Sequence, residues 1–530
     1  MKKNYTSLTI AILGIILGAL LTLTVQKAVY SKKYQFDGDY DRWRKLNLIL
    51  QEIERNYVDT IDMKKMTDAA VEAALAELDP HSIYLPPVQL ENSEVELAGN
   101  FEGIGIQFNV PNDTAVVLSA IPGGPSEKAG IQTGDKIIRV DENVIAGTKT
   151  HLDSMVRYMK GPAGTKVKIV VSRDGEIIPF DITRDKIPVN SIDAAFMVDD
   201  RTAYVRLAKF SMTTYKEFAE ASTRLLSEGM KRMIFDLRDN TGGYLEQASL
   251  LVNEFLDDDA EIVYFEGLHR PRRDFKANGK GKLKDVEISV LINDGSASSS
   301  EIFAGAIQDN DRGIIVGRRS FGKGLVQEPV NFTDNSGIRL TVARYYTPSG
   351  RCIQKPYSKD YQYDVYERYM HGEMTNADSM KVDQSKKFYT MGRRVVYGGG
   401  GIIPDIFVPM DTTKATPFHI SCNKKATTMR FASAMFDRYK SVIAPISDFA
   451  ALEKAVKAMP LESEFLSFAK TRDGLVPGPG EWEESRKWLM PQIYGLVGRF
   501  SKMGETAYYK FSLEIDDVYR TAYEAPSIVQ

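Results

Sequence analysis

Between residues 187 and 409 the chain alternates strand-like and helix-like segments. RTAYVRLAKF, KRMIFDLR, VEISVLIN and RGIIVG read as strands, and TYKEFAEASTRLLSEGM, LEQASLLVNEFL and SSEIFAGAIQD read as the helices between them. Parallel strands need long crossovers, so this alternation commits the segment to a largely parallel sheet covered by helices. The full chain of 530 residues is longer than one hydrophobic core usually supports. Four further patterns divide it. Residues 41–78 have helical apolar spacing and end at Asp79-Pro80. Residues 88–184 carry short strands and glycine turns (FEGIGIQFNV, TAVVLSAI, DKIIRV, VKIVVSR, IIPFDIT) with two short helices at SEKAG and HLDSMVRYMKG. Residues 357–401 form a polar, tyrosine-rich excursion from the sheet. From about residue 416 the pattern is helical and holds no chemical motif. The expected fold is a multidomain α/β chain with five parts. These are an N-terminal signal segment (1–30), a helical region (31–87), an inserted β-rich domain (88–184), the α/β core (185–412) and a helical C-terminal region (413–530).

The N-terminus points to export. Lys2 and Lys3 precede the apolar run LTIAILGIILGALLTLTV at residues 8–25, long enough as a helix to cross about 27 Å at ~1.5 Å per residue. A cleaved signal peptide calls for small residues after that run, and VQKAVYSKK offers few. An uncleaved signal anchor is the favoured expectation, with the rest of the chain on the periplasmic side of the inner membrane. Lys27, Lys32 and Lys33 on that side depart from the positive-inside rule. Gly14 and Gly18 form a G-x-x-x-G, which either packs two such helices or merely faces lipid. A formal net charge of −3 excludes a broadly basic, nucleic-acid-binding surface. Two cysteines, Cys352 and Cys422, cannot build a disulfide framework or a cysteine-rich zinc site.

Several chemistries lack their residues. There is no H-E-x-x-H for a metalloprotease and no G-x-S-x-G nucleophile elbow. GRRSFGKG at 317–324 imitates a phosphate loop but ends in Gly324 where Ser or Thr is needed, and a strand-like LVQEPVNF follows instead of a helix. Three turns remain. NDGSASSSEIFAGAIQD places Ser298 between a buried strand and a helix. Ser298 with Glu301 is an S-x-x-E capping box, and most such serines only cap. The same junction also lies at the strand end where α/β sheets carry their sites, with amide groups converging on it. FGKGLVQ sets Lys323 between glycines that permit close packing. A desolvated lysine loses its proton more readily and can then act as base toward a serine, with Gln327 holding the amine. The alternative is a solvated lysine in a glycine loop. IFDLRDNTGGYL ends a third strand in a turn at Gly242-Gly243, which can expose backbone amides.

Taken together, Asp236-Leu237-Arg238-Asp239-Asn240-Thr241-Gly242-Gly243, Gly295-Ser296-Ala297-Ser298-Ser299-Ser300-Glu301-Ile302, Phe321-Gly322-Lys323-Gly324-Leu325-Val326-Gln327, Tyr345-Tyr346-Thr347-Pro348-Ser349-Gly350-Arg351 and Gly401-Ile402-Ile403-Pro404-Asp405 resemble the motifs of the C-terminal processing (tail-specific) proteases of the S41 class. The resemblance implies Ser298 as nucleophile, Lys323 as general base and Gln327 as the residue orienting it. It implies an oxyanion hole from the amides of Gly242 or Gly243 and of Ser299. Ser299 replaces the family's usual alanine. The β-rich domain resembles a PDZ domain: Gly103-Ile104-Gly105-Ile106 matches the carboxylate-binding loop, and PGGPSEKAGIQTGDKIIRVD the segment after it. A PDZ domain captures C-terminal tails by adding the peptide to a sheet edge. The implied function is a serine endopeptidase on the tails of exported proteins, with no cofactor or metal and with helical regions open to a homodimer or adaptor partner. The alternative is a non-catalytic PDZ/S41-fold binding or scaffold protein.

Overall fold

The computed structural model describes residues 39–525 except 111–112, 122, 133, 174, 358–360 and 412–414, together with Gly14 and residues 17–22. Most of the apolar run at 8–25 thus lies outside the described residues. Among those described, no helix is long and apolar enough to cross a membrane. Two units form, residues 1–77 and 78–530. In the first, the helical pattern of 41–78 is split into α1 (Asp39–Asn56) and α2 (Met63–Ala76). The split has a local cause: the Asp62 carboxylate accepts the amide of Lys65 and starts a new helix.

The second unit opens with β1 (Ile83–Leu85), α3 (Pro87–Ala98) and β2 (Asn100–Gly103). The PDZ-like module follows as β3 (Ile106–Asn109), β4 (Ala115–Ala120), α4 (Pro125–Ala129), β5 (Lys136–Val140), β6 (Asn143–Val144), α5 (Leu152–Met159), β7 (Lys166–Arg173) and β8 (Glu176–Thr183). The sheet order is β3-β4-β5-β7-β8 with β6 on β5, so β3 is an edge strand. Val117, Ile137, Met155, Ile169 and Ile182 fill its core. β9 (Asp185–Pro188) returns antiparallel to β2 and closes the module.

The core contains, in chain order, β10 (Ile192–Met197), β11 (Thr202–Leu207), α6 (Thr214–Ser227), β12 (Arg232–Asp236), α7 (Leu245–Asn253), β13 (Glu261–Gly267), β14 (Arg270–Lys276), β15 (Glu287–Ile292), α8 (Ser299–Asp309), β16 (Ile314–Gly317), β17 (Leu325–Asn331), β18 (Gly337–Tyr346), α9 (Asp364–Met370), the β19–β20 hairpin (Lys387–Tyr389, Val395–Tyr397) and β21 (Ile406–Phe407). The main sheet runs β10-β11-β12-β15-β16-β21. It is mixed: β10 pairs antiparallel with β11, and the other pairings are parallel. The 198–201 turn between β10 and β11 is too short for a parallel crossover. A second, antiparallel sheet (β1-β18-β13-β14, with β17 on β18) stands beside it, built from strands that no contiguous sequence pattern announces.

Strand alternation supplies both faces of the main sheet. Val205, Met233, Phe235 and Val290 face α6, α7 and α8, where Phe218, Leu251 and Phe303 complete a core. Tyr204, Ile234, Leu291 and Val316 face the other way, and their cover comes from the far end of the chain: Leu513, Val518, Tyr519 and Ala522. Those residues end a helical array of α10 (Pro417–Lys424), α11 (Thr427–Ile443), α12 (Phe449–Ala458), α13 (Leu461–Asp473), α14 (Glu481–Gly498), α15 (Glu505–Ser512) and α16 (Asp517–Glu524). Its own core holds Phe431, Leu452, Phe465, Leu489 and Phe511.

A polar lock joins this cover to the sheet. Asp236, fully buried, accepts from Tyr204 Oη (2.7 Å) and from Arg238 Nη2 (2.6 Å), with Arg206 Nη1 at 3.0 Å. Burial opposes its ionisation, but the Arg238 and Arg206 guanidinium groups outweigh that and hold its pKa below the usual carboxylate range. Arg238 also reaches Asp516 at 2.6 Å, and Arg232 donates to the carbonyls of Ala522, Tyr523 and Ala525. Asp516→Ala leaves Arg238 with one carboxylate. It is expected to destabilise the fold by about 2 kcal/mol, read as an earlier denaturant midpoint; an unchanged midpoint would contradict the lock.

Candidate active site

Three turns at the C-terminal ends of adjacent strands, after β12, β15 and β16, converge where α/β sheets place their chemistry. Ser298 opens α8 with φ 54° and ψ −115°, outside the ordinary regions for a residue with a side chain. Two groups hold it there. Its amide donates to Glu301 Oε2 at 2.9 Å, and the Tyr345 hydroxyl lies 3.1 Å from its carbonyl oxygen.

The same two groups hold Lys323. Glu301 Oε2 accepts the Lys323 amide at 2.8 Å, and the Tyr345 hydroxyl donates to the Lys323 carbonyl at 2.6 Å. Glu301 Oε1 takes the amide of Gly322 and the hydroxyl of Ser320. The capping glutamate of the S-x-x-E box therefore also ties the lysine loop to the serine turn, a role that the sequence pattern alone does not separate from capping. Gly324 packs so closely that a Cβ would lie 2.9 Å from Gln354 N. The Lys323 amine donates to Gln327 Oε1 at 2.8 Å, and Gln327 Nε2 donates to the His81 carbonyl. In this conformation no hydrogen bond joins the Ser298 hydroxyl to the Lys323 amine.

Gly242 and Gly243 lie against the serine turn. A Cβ on Gly242 would meet Ser298 Cβ at 2.7 Å and Ser299 N at 2.9 Å; on Gly243 it would sit 2.0 Å from Phe210 O. Both have positive φ (98° and 145°), so the turn admits no side chain at either place. The two amides are not equivalent. Gly242 N donates to Asn240 Oδ1 at 2.9 Å. Phe210 engages the carbonyl of Gly242 and the amide of Tyr244, which turns the Gly243 peptide groups to the opposite side. There the Ser299 hydroxyl donates to Gly243 O at 2.8 Å. The amides of Gly243 and Ser299 have no protein acceptor among the described residues.

Gly103 ends β2, Ile104 and Gly105 form the link that follows it, and Ile106 opens β3 of the PDZ-like sheet. Gly105 has φ 72°. The carbonyls of Ile104 and Gly105 accept the amides of Ser126 and Ile121. The amides of Ile104 and Gly105 have no protein acceptor among the described residues, and β3 beyond them exposes a free strand edge.

Comparison with known proteins identifies the family. Residues 201–363 match the model of peptidase family S41, and residues 103–183 match that of the PDZ domain. The carboxy-terminal processing protease CtpA of Bacillus subtilis is 33% identical over 359 residues, covering 67% of this chain and 76% of that protein. A carboxy-terminal-processing protease of Bartonella bacilliformis is 35% identical over 350 residues, covering 64% and 78%. The chain belongs to peptidase family S41. It is a serine protease with a PDZ domain, and the non-catalytic scaffold reading is set aside. Among solved structures, the photosystem II D1 C-terminal processing protease is 26% identical, covering 74% of this chain and 92% of that one, with a TM-score of 0.36.

The surroundings of Lys323 shift its amine toward the uncharged form. Burial lowers the Lys323 pKa, and the nearby Arg339 cation lowers it further, against the opposing charges of Glu301 and Asp79. The neutral fraction grows as pH rises through that lowered value, so a reaction using the free amine gains rate on the same rise. Arg339→Gln removes a cation that disfavours ammonium. It is expected to raise the Lys323 pKa and move the acid limb of kcat/KM to higher pH; an unmoved limb would exclude Lys323 as the titrating base.

Proposed function

We propose that this protease processes exported proteins from their free C-terminal tails, with Ser298 as nucleophile, Lys323 as general base and Gln327 as its orienting residue. One observation carries the reading: a single buried carboxylate, Glu301, holds the amides of both Ser298 and Lys323, while Gln327 fixes the amine. Attack by Ser298 Oγ on the scissile carbonyl passes the hydroxyl proton to the neutral amine and leaves the charge on the carbonyl oxygen. We assign its stabilisation to the amides of Gly243 and Ser299, since Gly242 gives its amide to Asn240. Collapse breaks the C–N bond, and the departing amine takes the proton from Lys323. Water, deprotonated by the same amine, then attacks the acyl carbonyl, the ester C–O bond to Ser298 breaks, and Lys323 returns the proton to Ser298 Oγ. Substrate binding closes the remaining distance between hydroxyl and amine, as catalytic hydrogen bonds often tighten only in the complex.

The tail is held by the PDZ domain, its carboxylate on the amides of Ile104 and Gly105 and its backbone along β3. Residues 88–184, 185–412 and 413–530 then divide into tail capture, catalysis and cover for the sheet. The apolar run at 8–25 supports an anchored enzyme on the periplasmic side of the membrane.

Ser298→Ala is expected to lower kcat by a factor on the order of 10⁴ or more; persistent cleavage of a tailed test protein would remove the assignment. Amidating the C-terminus of a tail peptide is expected to weaken its binding by about 10- to 100-fold, measured by calorimetry. Equal binding of acid and amide would end the tail-capture reading. In cells, the full chain should sediment with membranes after an alkaline wash, and recovery in the soluble fraction would exclude the anchor.

A further inference from the structure

The turn at residues 79–82, Asp-Pro-His-Ser, lies outside both the S41 match at 201–363 and the PDZ match at 103–183. The sequence marks it only as a helix stop. In the fold it leads into β1, which pairs antiparallel with β18 through Ile83 and Arg339. Asp79 organises it. Its Oδ1 accepts the amides of His81 (2.8 Å) and Ser82 (2.9 Å), and its Oδ2 accepts the Ser82 hydroxyl (2.6 Å). Thr341 Oγ1 donates to Asp79 Oδ1 at 3.2 Å, and the Thr341 amide donates to Ser82 Oγ at 3.2 Å. Thr341 is the β18 partner of Gln327 on β17. Asp79 therefore fixes the turn to the strand beside Gln327.

What the turn presents to Gln327 is the carbonyl of His81, which accepts from Gln327 Nε2. An amide side chain has one accepting end and one donating end. A carbonyl on the Nε2 side forces Oε1 toward the Lys323 amine, where it is found at 2.8 Å. The reversed amide would oppose two oxygens and turn its NH2 onto the lysine, donating into the lone pair that must take the serine proton. With Oε1 facing it, the amine spends an N–H on Gln327 and keeps its lone pair free. The His81 ring is occupied elsewhere, 2.7 Å from Tyr361 Oη. Burial is the largest cause that lowers its pKa, so at neutral pH the imidazole is uncharged.

We propose that Asp79 is a positioning residue of the hydrolysis: through the His81 carbonyl it selects which end of Gln327 faces Lys323 and so aims the base. The inference rests on Ser298 and Lys323 being nucleophile and base. A competing role is purely electrostatic, because the Asp79 charge favours the lysine ammonium. The two roles differ in sign. Loss of charge alone frees the amine, moving the acid limb of kcat to lower pH with an unchanged plateau. Loss of positioning lowers the plateau itself.

The test uses the full chain with a tailed peptide substrate, measuring kcat and KM across pH for Asp79→Ala, Asp79→Asn, Gln327→Ala and the Asp79→Ala/Gln327→Ala double variant. Positioning predicts a plateau kcat lowered about 10- to 100-fold in Asp79→Ala with KM within about twofold. Asp79→Asn, which keeps an accepting oxygen, should recover part of the loss. In the Gln327→Ala background the Asp79 change should cost nothing further. Tail-peptide binding and thermal melting of each variant identify any that fails to fold, and Asp79→Asn then carries the comparison. A full plateau with a lowered acid limb, or losses that multiply in the double variant, would overturn the proposal. Ser298→Ala run alongside separates the cases: activity there removes the Ser-Lys reading, whereas an inactive Ser298→Ala with normal Asp79 variants removes only this inference.

Discussion

The site depends on one buried carboxylate. Serine turn and lysine loop leave the paired strands β15 and β16, and beyond the backbone bond from Phe321 N to Ser296 O (3.0 Å) a side chain holds one against the other at Ser298 and Lys323. Glu301 does so by accepting from the amides of Ser298, Gly322 and Lys323 and from the Ser320 hydroxyl. Burial raises its pKa, since a carboxylate without water is disfavoured, and the four donors act against that. Tyr345, itself buried in the core, repeats the tie through the two carbonyls. Together they supply what the strained backbone of Ser298 requires: surroundings that determine it from several sides at once.

The parts of this arrangement legible in the sequence are those with short-range signatures. Strand-turn-helix junctions, the S-x-x-E box and the glycines around Lys323 can all be read from adjacent residues, and they place Ser298 and Lys323 on facing turns. The choice between Gly242 and Gly243 was not legible. It depends on Asn240 taking one amide within the turn and on Phe210 bracketing the pair, and the second contact is made only when β11 and β12 are side by side. The turn around Asp79 has no short-range signature beyond a helix stop, because its partners, Gln327 and Thr341, are more than two hundred positions away.

The same distinction applies to the fold. Alternation from 187 to 409 announces a helix-covered sheet, and the turn at 198–201 then makes one edge antiparallel. The second sheet was hidden because its strands are scattered among β1, β13, β14, β17 and β18, most of them with mixed polar patterns. Ser299, noted as a departure from the family alanine, does more than preserve its amide: its hydroxyl holds the carbonyl of Gly243, so the helix start and the glycine turn are joined by a bond an alanine cannot make.

The lid on the second face of the main sheet has a consequence in time. Tyr204, Ile234 and Leu291 emerge early from the ribosome, yet the side chains that shield them, Leu513 to Ala522, are among the last described residues to be synthesised. During translation that surface has no cover, and the Asp236–Arg238 pair lacks Asp516. The nascent chain therefore passes through a stage in which one side of its catalytic sheet is bare and prone to association. Closure of that face waits on residues 513–522, far along the chain from the strands they cover.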